Sequence, residues 1–353
     1  MPKIAIIGTT SWGITLGTVL GHKGLQVSLW ARTEKEAIEL TSNGSGSVSL
    51  LDVTFPRQLS VTSSLSEALD GAKAVILVVP SQTMRQNMKL VAKHLDKSML
   101  IVSAAKGLEI GSGKRMSQVI TDEVESHFWS NICVLSGPNL SQEVIRDLPA
   151  ATVVAAGNEA VARKAQKILT TPNLCVYTNT DVVGVELGGA MKNIIALGAG
   201  IADGLGYGDN AKAALTTRGL TEMTALGVAL GANPLTFAGL AGLGDLIATC
   251  ASPLSRNHYV GVELTKGRSL KEITDSMTSV AEGVSTILVV WELAQQMGLE
   301  MPITETIYRV LYEGADLRQA AVGLMRAGNT HELAGRKWRL FSFLRSRGRS
   351  RVG

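Results

Sequence analysis

The residues best suited to chemistry lie in an apolar run, VELGGAMKNIIALGAG, in the second half of the chain. Lys192 and Asn193 stand there among small and apolar neighbours. Burying an ammonium group costs free energy unless a partner compensates it, so a lysine placed in such a run is suited to proton transfer. The alternative is an ordinary lysine whose stem lies on apolar surface while its amine reaches water.

A second polar group follows in a break between helix-like segments. It consists of Asp245 in GLGDL and of Ser255, Arg256 and Asn257 in the run CASPLSRNH. A guanidinium fork matches two phosphate oxygens, and the hydroxyl and amide groups add further donors. The pattern predicts a phosphate clamp, with an ordinary surface loop as the alternative.

Two further candidates come directly after strand-like runs. Lys106 lies in SAAKG, and Gly137 and Asn139 lie in SGPN. Open parallel sheets bind their ligands at the carboxyl ends of strands. We therefore expect Lys106 and the SGPN backbone to reach a ligand, the alternatives being a lysine that faces water and a structural turn.

The chain opens with IAIIGTTSWG, in which an apolar strand breaks into a turn and then a helix. The dinucleotide fingerprint is G-x-G-x-x-G, and Gly8 and Gly13 occupy its ends while Thr10 replaces the middle glycine. The helix N-terminus still offers N–H groups near Ser11 and Trp12. We expect a dinucleotide site in which Thr10 holds the pyrophosphate further out, or else a tight structural turn.

Arg32 stands after the second strand-like run, QVSLW. A NAD-selective site usually carries an acid there, which binds the ribose 2′-hydroxyl. A cation suits a 2′-phosphate, so the sequence predicts NADP or NAD as cofactor with NADPH favoured. A surface arginine without a ligand is the alternative.

These candidates need a scaffold that brings strand ends together. Strand-like runs alternate with amphipathic stretches through the first half of the chain: KIAII, QVSLW, AVILVV, MLIVSAA, NICVLSG and ATVVAAG, with LSVT between the second and third. This alternation predicts an α/β fold with a Rossmann-type doubly wound parallel sheet over residues 1–180. Glycine-punctuated helix-like segments predict an all-helical substrate-binding domain over 181–335, followed by a disordered tail, 336–353.

Charge and composition exclude several classes of protein. The formal net charge of +4 comes from the tail, which carries seven basic residues and no acid, while the remainder is mildly acidic. We expect no specific nucleic-acid partner, and at most a weak contact of the tail with an anionic surface. The long apolar run near Lys192 also contains Glu186, and no signal peptide is apparent, so we expect no integral membrane segment and a cytoplasmic location.

Cysteine and histidine usage indicates no metal site. Cys133, Cys175 and Cys250 lie far apart, and none of the five histidines has a second ligand at suitable spacing. We expect the cysteines to be buried, reduced thiols.

In their order, the motifs resemble those of the soluble NAD(P)-dependent glycerol-3-phosphate dehydrogenases. The match runs from Lys3 to about Ala334 and includes the SWG turn, the AKG lysine, SGPN, the MKN helix, GLGDL with SRN, and VAEG. The resemblance implies reduction of dihydroxyacetone phosphate to glycerol 3-phosphate, for phospholipid synthesis, in a cleft between the two domains. We expect no metal and a homodimer.

The resemblance also implies a role for each matching residue. Lys192 would be the proton donor and acceptor. Substrate would be held by Lys106, Gly137, Asn139, Lys192, Asn193, Asp245, Ser255, Arg256 and Asn257. The cofactor would contact Gly8, Thr10, Ser11, Trp12, Gly13, Arg32, Lys106, Ser141, Arg256, Val280 and Glu282. Besides Thr10, the chain departs from the family at Asn139 and Ser141, where Ser and Ala are common.

Two other functions fit parts of the sequence. One is a related two-domain reductase of a hydroxy acid, in which SRN would bind a carboxylate. The other is a nicotinamide-sensing binding protein without turnover, which the substitution at Thr10 makes conceivable. Retention of Lys192 and of the whole clamp speaks against the second, because a sensor needs neither.

Overall fold

An eight-stranded β-sheet occupies the first half of the chain in the computed structural model, which describes residues 2–43 and 54–326. The strands are β1 (Lys3–Ile7), β2 (Gln26–Trp30), β3 (Leu59–Thr62), β4 (Ala72–Leu77), β5 (Leu100–Ser103), β6 (Ile132–Ser136), β7 (Ala150–Ala155) and β8 (Leu174–Asn179). They lie in the order β3-β2-β1-β4-β5-β6-β7-β8. The order reverses beside β1, so the predicted Rossmann-type doubly wound sheet is confirmed.

Both faces of the central strands are covered, as the apolar runs predict. Ile4 and Ile6 of β1 pack into the core on one face, while Ala5 and Ile7 pack into the core on the other, and all four are fully buried. Such strands can lie only between two helical layers. The helices of this half are α1 (Ser11–His22), α2 (Glu34–Asn43), α3 (Leu65–Leu69), α4 (Met84–Val91), α5 (Met116–Glu123), α6 (Ser141–Val144) and α7 (Glu159–Leu169).

One junction of the sheet differs from a purely parallel arrangement, because β6 and β7 run antiparallel. The connection between them holds only the four-residue helix α6. A parallel return needs a longer crossover, commonly a full helix. The next connection contains the 11-residue helix α7, and there β7 and β8 are parallel.

After β8 the described chain is helical, in agreement with the prediction for the second half. The helices are α8 (Val182–Gly204), α9 (Gly208–Ala229), α10 (Pro234–Phe237), α11 (Asp245–Ala251), α12 (Arg256–Thr265), α13 (Leu270–Ser276), α14 (Glu282–Met297), α15 (Pro302–Tyr312) and α16 (Leu317–Arg326). A single π-helical turn, Leu240–Gly244, leads into α11.

The helix α8 is the axis of this half, and every residue from Gly184 to Ala202 is buried. Its glycines let other elements approach closely, since a Cβ at Gly188 would lie 2.5 Å from the carbonyl oxygen of Ala241, and one at Gly200 would lie 2.0 Å from that of His258. By length and apolar composition, Val182–Gly204 and Pro234–Ala251 could each span a bilayer. Burial of α8 among its neighbours is what a core helix requires.

Two sequence expectations need comment. Cys133 and Cys250 are buried, but Cys175 is exposed, so the prediction of a buried thiol is wrong there. It lies on β8, the edge strand, whose residues alternate between buried and exposed. The basic tail, 336–353, and the end of the expected helical domain, 327–335, lie outside the described residues.

Candidate active site

Two positions of the first turn, Gly8 and Gly13, have no room for a Cβ atom. Gly8 adopts a φ of +113°, and a Cβ there would lie 2.6 Å from the carbonyl oxygen of Val78. A Cβ on Gly13 would lie 2.1 Å from the carbonyl oxygen of Gly8. The turn therefore lies directly against the residue that follows β4, at the point where strand order reverses. Doubly wound sheets bind ligands at this point.

Thr10 has a structural function in this turn. Its hydroxyl accepts a hydrogen bond from the Gly13 N–H at 3.2 Å and donates one to the Val78 carbonyl at 2.9 Å. Thr10 is thus the N-cap of α1, and it ties the turn to the segment after β4. Ser11 and Trp12 form the first positions of the helix, whose N-terminus faces the crevice, as an anion site requires.

Arg32 reaches across the same crevice. It follows β2 and is exposed, and its Nη2 lies 3.5 Å from Oδ1 of Asn87 on α4. Since β1 separates β2 from β4 in the sheet, the side chain spans the carboxyl end of β1. Gly8, the α1 N-terminus and Arg32 therefore lie around the carboxyl end of β1, where the sequence predicts a dinucleotide.

A buried cluster of two lysines and one aspartate lies at the adjoining sheet edge. Lys106 Nζ donates to Oδ2 of Asp245 at 2.6 Å, to Oδ1 of Asn139 at 2.9 Å and to the carbonyl of Gly137 at 2.8 Å. Lys192 Nζ donates to the other carboxylate oxygen of Asp245. Three ionisable groups therefore share one site with an excess of positive charge when both lysines are protonated.

The electrostatics of the cluster affect Lys106 strongly. Burial lowers the pKa of Lys106 to about 8, with the Asp245 carboxylate opposing the shift and the Lys192 ammonium adding to it. Asp245 is 1% exposed, so solvent screens its interactions with the two lysines only weakly. The arrangement offers an anionic group a preformed cationic pocket.

Thr249 belongs to this cluster, and sequence reasoning missed it. Lys192 Nζ donates to its hydroxyl at 2.6 Å, and that hydroxyl donates to the backbone carbonyl of Asp245 at 2.6 Å. Asp245 and Thr249 are four positions apart at the start of α11, so they lie on the same face of the helix. This four-residue spacing from Asp245 is the feature of the sequence that could have identified Thr249.

The SRN segment differs from the predicted phosphate clamp, because two of its three polar side chains form hydrogen bonds within the protein. The Ser255 hydroxyl accepts from the His258 N–H at 3.2 Å and caps α12. Asn257 Nδ2 donates to Oδ1 of Asn193 at 3.0 Å. Arg256, at the first position of α12, is exposed. The structure therefore uses Ser255 and Asn257 to build the site, and leaves the Arg256 side chain accessible to a ligand.

The VAEG segment connects the helical half to the sheet. Oε1 of Glu282 accepts from the Ser81 N–H at 2.9 Å, and Oε2 accepts from the Ser81 hydroxyl. Burial raises the pKa of Glu282, and the hydrogen bonds from Ser81 oppose that shift. A Cβ at Gly107 would lie 2.4 Å from the Ser81 hydroxyl, so the residue after Lys106 must be small. Val280, two residues before Glu282, is exposed.

The SGPN segment lies beside both groups of residues. Gly137 has a φ of +147°, and a Cβ there would lie 2.9 Å from Cα of Thr152. The carbonyl of Ser141, at the start of α6, lies 3.4 Å from the Thr15 hydroxyl of α1. Most of the predicted residues thus form two neighbouring groups, one around Gly8 and Arg32 and one around Lys106 and Lys192.

Dinucleotide-dependent oxidoreductases of two domains use this design, in which one domain holds the nucleotide at a sheet switch point and the other completes the reaction pocket. The fold and the two adjoining groups of residues place the chain in that class.

Comparison with known proteins specifies the family. The family models described as NAD-dependent glycerol-3-phosphate dehydrogenase N-terminus and C-terminus match residues 3–162 and 181–322. A glycerol-3-phosphate dehydrogenase [NAD(P)+] of Dehalococcoides mccartyi is 64% identical over 348 residues, covering 98% of this chain and 97% of that protein. One from Citrifermentans bemidjiense is 47% identical over 323 residues, covering 92% and 96%.

A solved structure agrees with the sequence comparisons. The crystal structure of glycerol-3-phosphate dehydrogenase from Coxiella burnetii has a TM-score of 0.86 to this chain at 36% identity, covering 92% of this chain and 98% of that one. The chain belongs to the NAD-dependent glycerol-3-phosphate dehydrogenase family. It is accordingly an oxidoreductase that uses NAD or NADP, and the resemblance found in the motifs is confirmed.

Proposed function

We propose that the chain interconverts dihydroxyacetone phosphate and sn-glycerol 3-phosphate, with NADH or NADPH as the reductant, and supplies glycerol 3-phosphate for phospholipid synthesis. The observation that best supports this proposal is that Lys106 and Lys192 both bind one buried carboxylate, that of Asp245, beside the proposed nucleotide site. We assign nucleotide binding to residues 1–180 and substrate binding to 181–335. The active form is a homodimer in the cytoplasm.

Lys192 donates the proton that completes reduction. When bound, the reduced nicotinamide supplies the hydride to the carbonyl carbon, and negative charge grows on the carbonyl oxygen. Asp245 and Thr249 fix the ammonium of Lys192 in place, so that it delivers its proton to that oxygen. In the reverse direction, the neutral amine accepts the proton from the hydroxyl group.

Lys106 stabilises the same developing charge without leaving its hydrogen bonds. Its ammonium is oriented by Gly137, Asn139 and Asp245, and a group held by three acceptors needs no reorganisation as the reaction proceeds. The two lysines thus have separate roles, in proton transfer and in electrostatic stabilisation.

Arg256 binds the phosphate end of the substrate. It lies at the first position of α12, where the helix dipole also favours an anion. Asn257 holds this end of α12 through the side chain of Asn193 and the N–H of Gly283. A phosphate anchored at Arg256 fixes the carbonyl relative to the lysines.

A substrate panel tests the proposal. The purified chain is assayed with dihydroxyacetone phosphate, with unphosphorylated dihydroxyacetone and with 2-keto acids, each with NADH and with NADPH. We expect turnover with dihydroxyacetone phosphate to exceed all others by at least about 100-fold, as the loss of a charge-assisted phosphate contact implies. Preference for a 2-keto acid would assign a hydroxy-acid reductase, and binding without turnover would assign a sensor.

A further inference from the structure

Glu36 is a carboxylate that joins two loops of the nucleotide crevice. Its Oε1 accepts from the hydroxyl of Thr9, the residue after Gly8 in the first turn. Its Oε2 accepts from the backbone N–H of Arg32 at 3.0 Å. In doubly wound sheets these two loops flank the adenosine ribose of a bound dinucleotide. Glu36 therefore lies at the ribose end of the crevice.

The guanidinium of Arg32 does not share this bond. The backbone of Arg32 binds Glu36, while its Nη2 lies near Oδ1 of Asn87, across the crevice. The ribose end of the crevice thus contains a carboxylate, from Glu36, and a guanidinium, from Arg32, which have opposite effects on a bound 2′-phosphate. The cation attracts a 2′-phosphate, whereas the carboxylate repels it and can accept a hydrogen bond from a free 2′-hydroxyl.

We propose that Glu36 is a specificity-determining residue, which limits the preference for NADPH that Arg32 creates and thereby keeps NADH usable. This inference rests on the cofactor site assigned under the proposed function. It differs from the usual acid at the end of the second strand, because here that position is Arg32 and the carboxylate comes from the first turn of α2. Acid and cation act on the same ribose.

The chain provides a matched control on the same helical turn. Glu34 carries the same charge, but its carboxylate accepts from the Ser63 hydroxyl, in the loop after β3. Glu34→Gln changes the net charge as Glu36→Gln does, without altering the contact to Thr9 or Arg32. A general field effect would appear in both variants, and a local one only in Glu36→Gln.

The experiment measures equilibrium binding of NADH and of NADPH by nicotinamide fluorescence, so that it does not depend on turnover. For Glu36→Gln we expect the ratio of the NADH Kd to the NADPH Kd to rise roughly three- to tenfold relative to wild type, and less at high salt. Glu34→Gln should leave the ratio unchanged. Arg32→Ala should move it in the opposite direction, by weakening NADPH binding.

Three results would overturn the inference. They are an unchanged ratio with both Kd values unchanged in Glu36→Gln, an unchanged ratio with both cofactors equally weakened in that variant, and an equal change of the ratio in Glu34→Gln. Selective loss of NADPH in Arg32→Ala alongside any of these keeps the proposed cofactor site and rejects only the role of Glu36. A wild-type chain that binds neither cofactor rejects the site itself and the inference with it.

Discussion

Asp245 is shared by two lysines that come from different halves of the chain. Lys106 follows β5 of the sheet, and Lys192 lies in the middle of α8. Each binds a different oxygen of the carboxylate. One buried negative charge cannot neutralise two ammonium groups. Burial is the main cause of the lowered pKa of Lys106; Asp245 opposes the shift and Lys192 adds to it. The pocket is set to receive an anion.

The pKa of Lys106, about 8, predicts the pH dependence of the reaction. Below pH 8 the ammonium is protonated and stabilises negative charge on the substrate. Above it, the group loses its proton and that attraction, so kcat/KM should fall as pH rises. The measurement is a pH profile of kcat/KM for dihydroxyacetone phosphate reduction from pH 6 to 10. Lys106→Arg, which stays charged, should lose the falling limb near pH 8, and a wild-type profile flat to pH 10 would contradict the role.

Arg256→Ala should impair phosphate recognition specifically. A charge-assisted bond to phosphate contributes about 1.5–3 kcal/mol, so KM for dihydroxyacetone phosphate should rise roughly ten- to 100-fold. The weak reaction with unphosphorylated dihydroxyacetone should change little. Steady-state kinetics on both substrates measure the difference, and equal losses on both would remove phosphate binding as the function of Arg256.

The sequence indicated Lys192 as the proton donor and Lys106 and Asp245 as substrate-binding residues, but not how they would meet. Motif order cannot show that one carboxylate serves both lysines. It also cannot show that the Ser255 hydroxyl is occupied as a helix cap, because capping depends on local backbone geometry. Thr249 escaped notice since a threonine in a helix is common.

At the scale of elements, Thr10 links the first turn to β4 through its hydroxyl. We predict that Thr10→Val, which keeps the branched shape, destabilises the protein by about 0.5–2 kcal/mol, as expected for loss of an N-cap. It should also weaken both nicotinamide cofactors by a similar factor, because the pyrophosphate is common to them. Denaturant unfolding and binding titrations measure the two effects.

Thr10→Ser is the matched control for that substitution, since it keeps the hydroxyl and removes only the methyl group. It should bind both cofactors at least as tightly as wild type. If Thr10→Gly, which removes the side chain, instead tightened binding of both cofactors, relief of crowding at the pyrophosphate would outweigh loss of the cap. That result would restore the expectation drawn from the sequence alone.

The alternation of apolar runs and amphipathic stretches was sufficient to predict the doubly wound sheet. It could not predict the antiparallel junction of β6 and β7, which depends on the short connection between them. The strand β8 was not among the predicted strands, because its residues alternate in burial and do not form a continuous apolar run. Alternating burial arises because successive side chains point to opposite faces of the sheet, and at β8 only one face is covered.

At the scale of the whole molecule, two further carboxylates of the helical half bind the sheet half, in addition to Asp245 on Lys106. The Glu282 carboxylate of α14 binds Ser81 after β4. On α8, the Glu186 carboxylate accepts from the Ser117 N–H at 2.7 Å and from the Ser117 hydroxyl at 2.6 Å, at the N-terminus of α5. Both contacts place an acid of the helical half on the sheet half, Glu186 buried and Glu282 half-buried, and so hold the two halves in a fixed relation.

The basic tail should be dispensable for catalysis. Its seven cations without an acid suit loose contact with an anionic surface such as membrane lipid. Truncation after Gly335 should leave the melting temperature and kcat/KM unchanged, and should reduce binding to anionic vesicles while leaving neutral vesicles unaffected. Loss of folding or of activity on truncation would contradict this account.

The central claim is that the sheet half binds the cofactor while Lys192, from the helical half, completes the reaction. Lys192→Ala should therefore separate the two: the Kd for NADH should stay within about twofold of wild type, while kcat falls roughly 10²- to 10⁴-fold, as loss of a positioned general acid implies. Both quantities are measured on one preparation, by fluorescence titration and by the assay with dihydroxyacetone phosphate. A variant that retained more than about a tenth of the wild-type kcat would contradict the claim, because loss of a positioned general acid typically lowers the rate by at least about 100-fold.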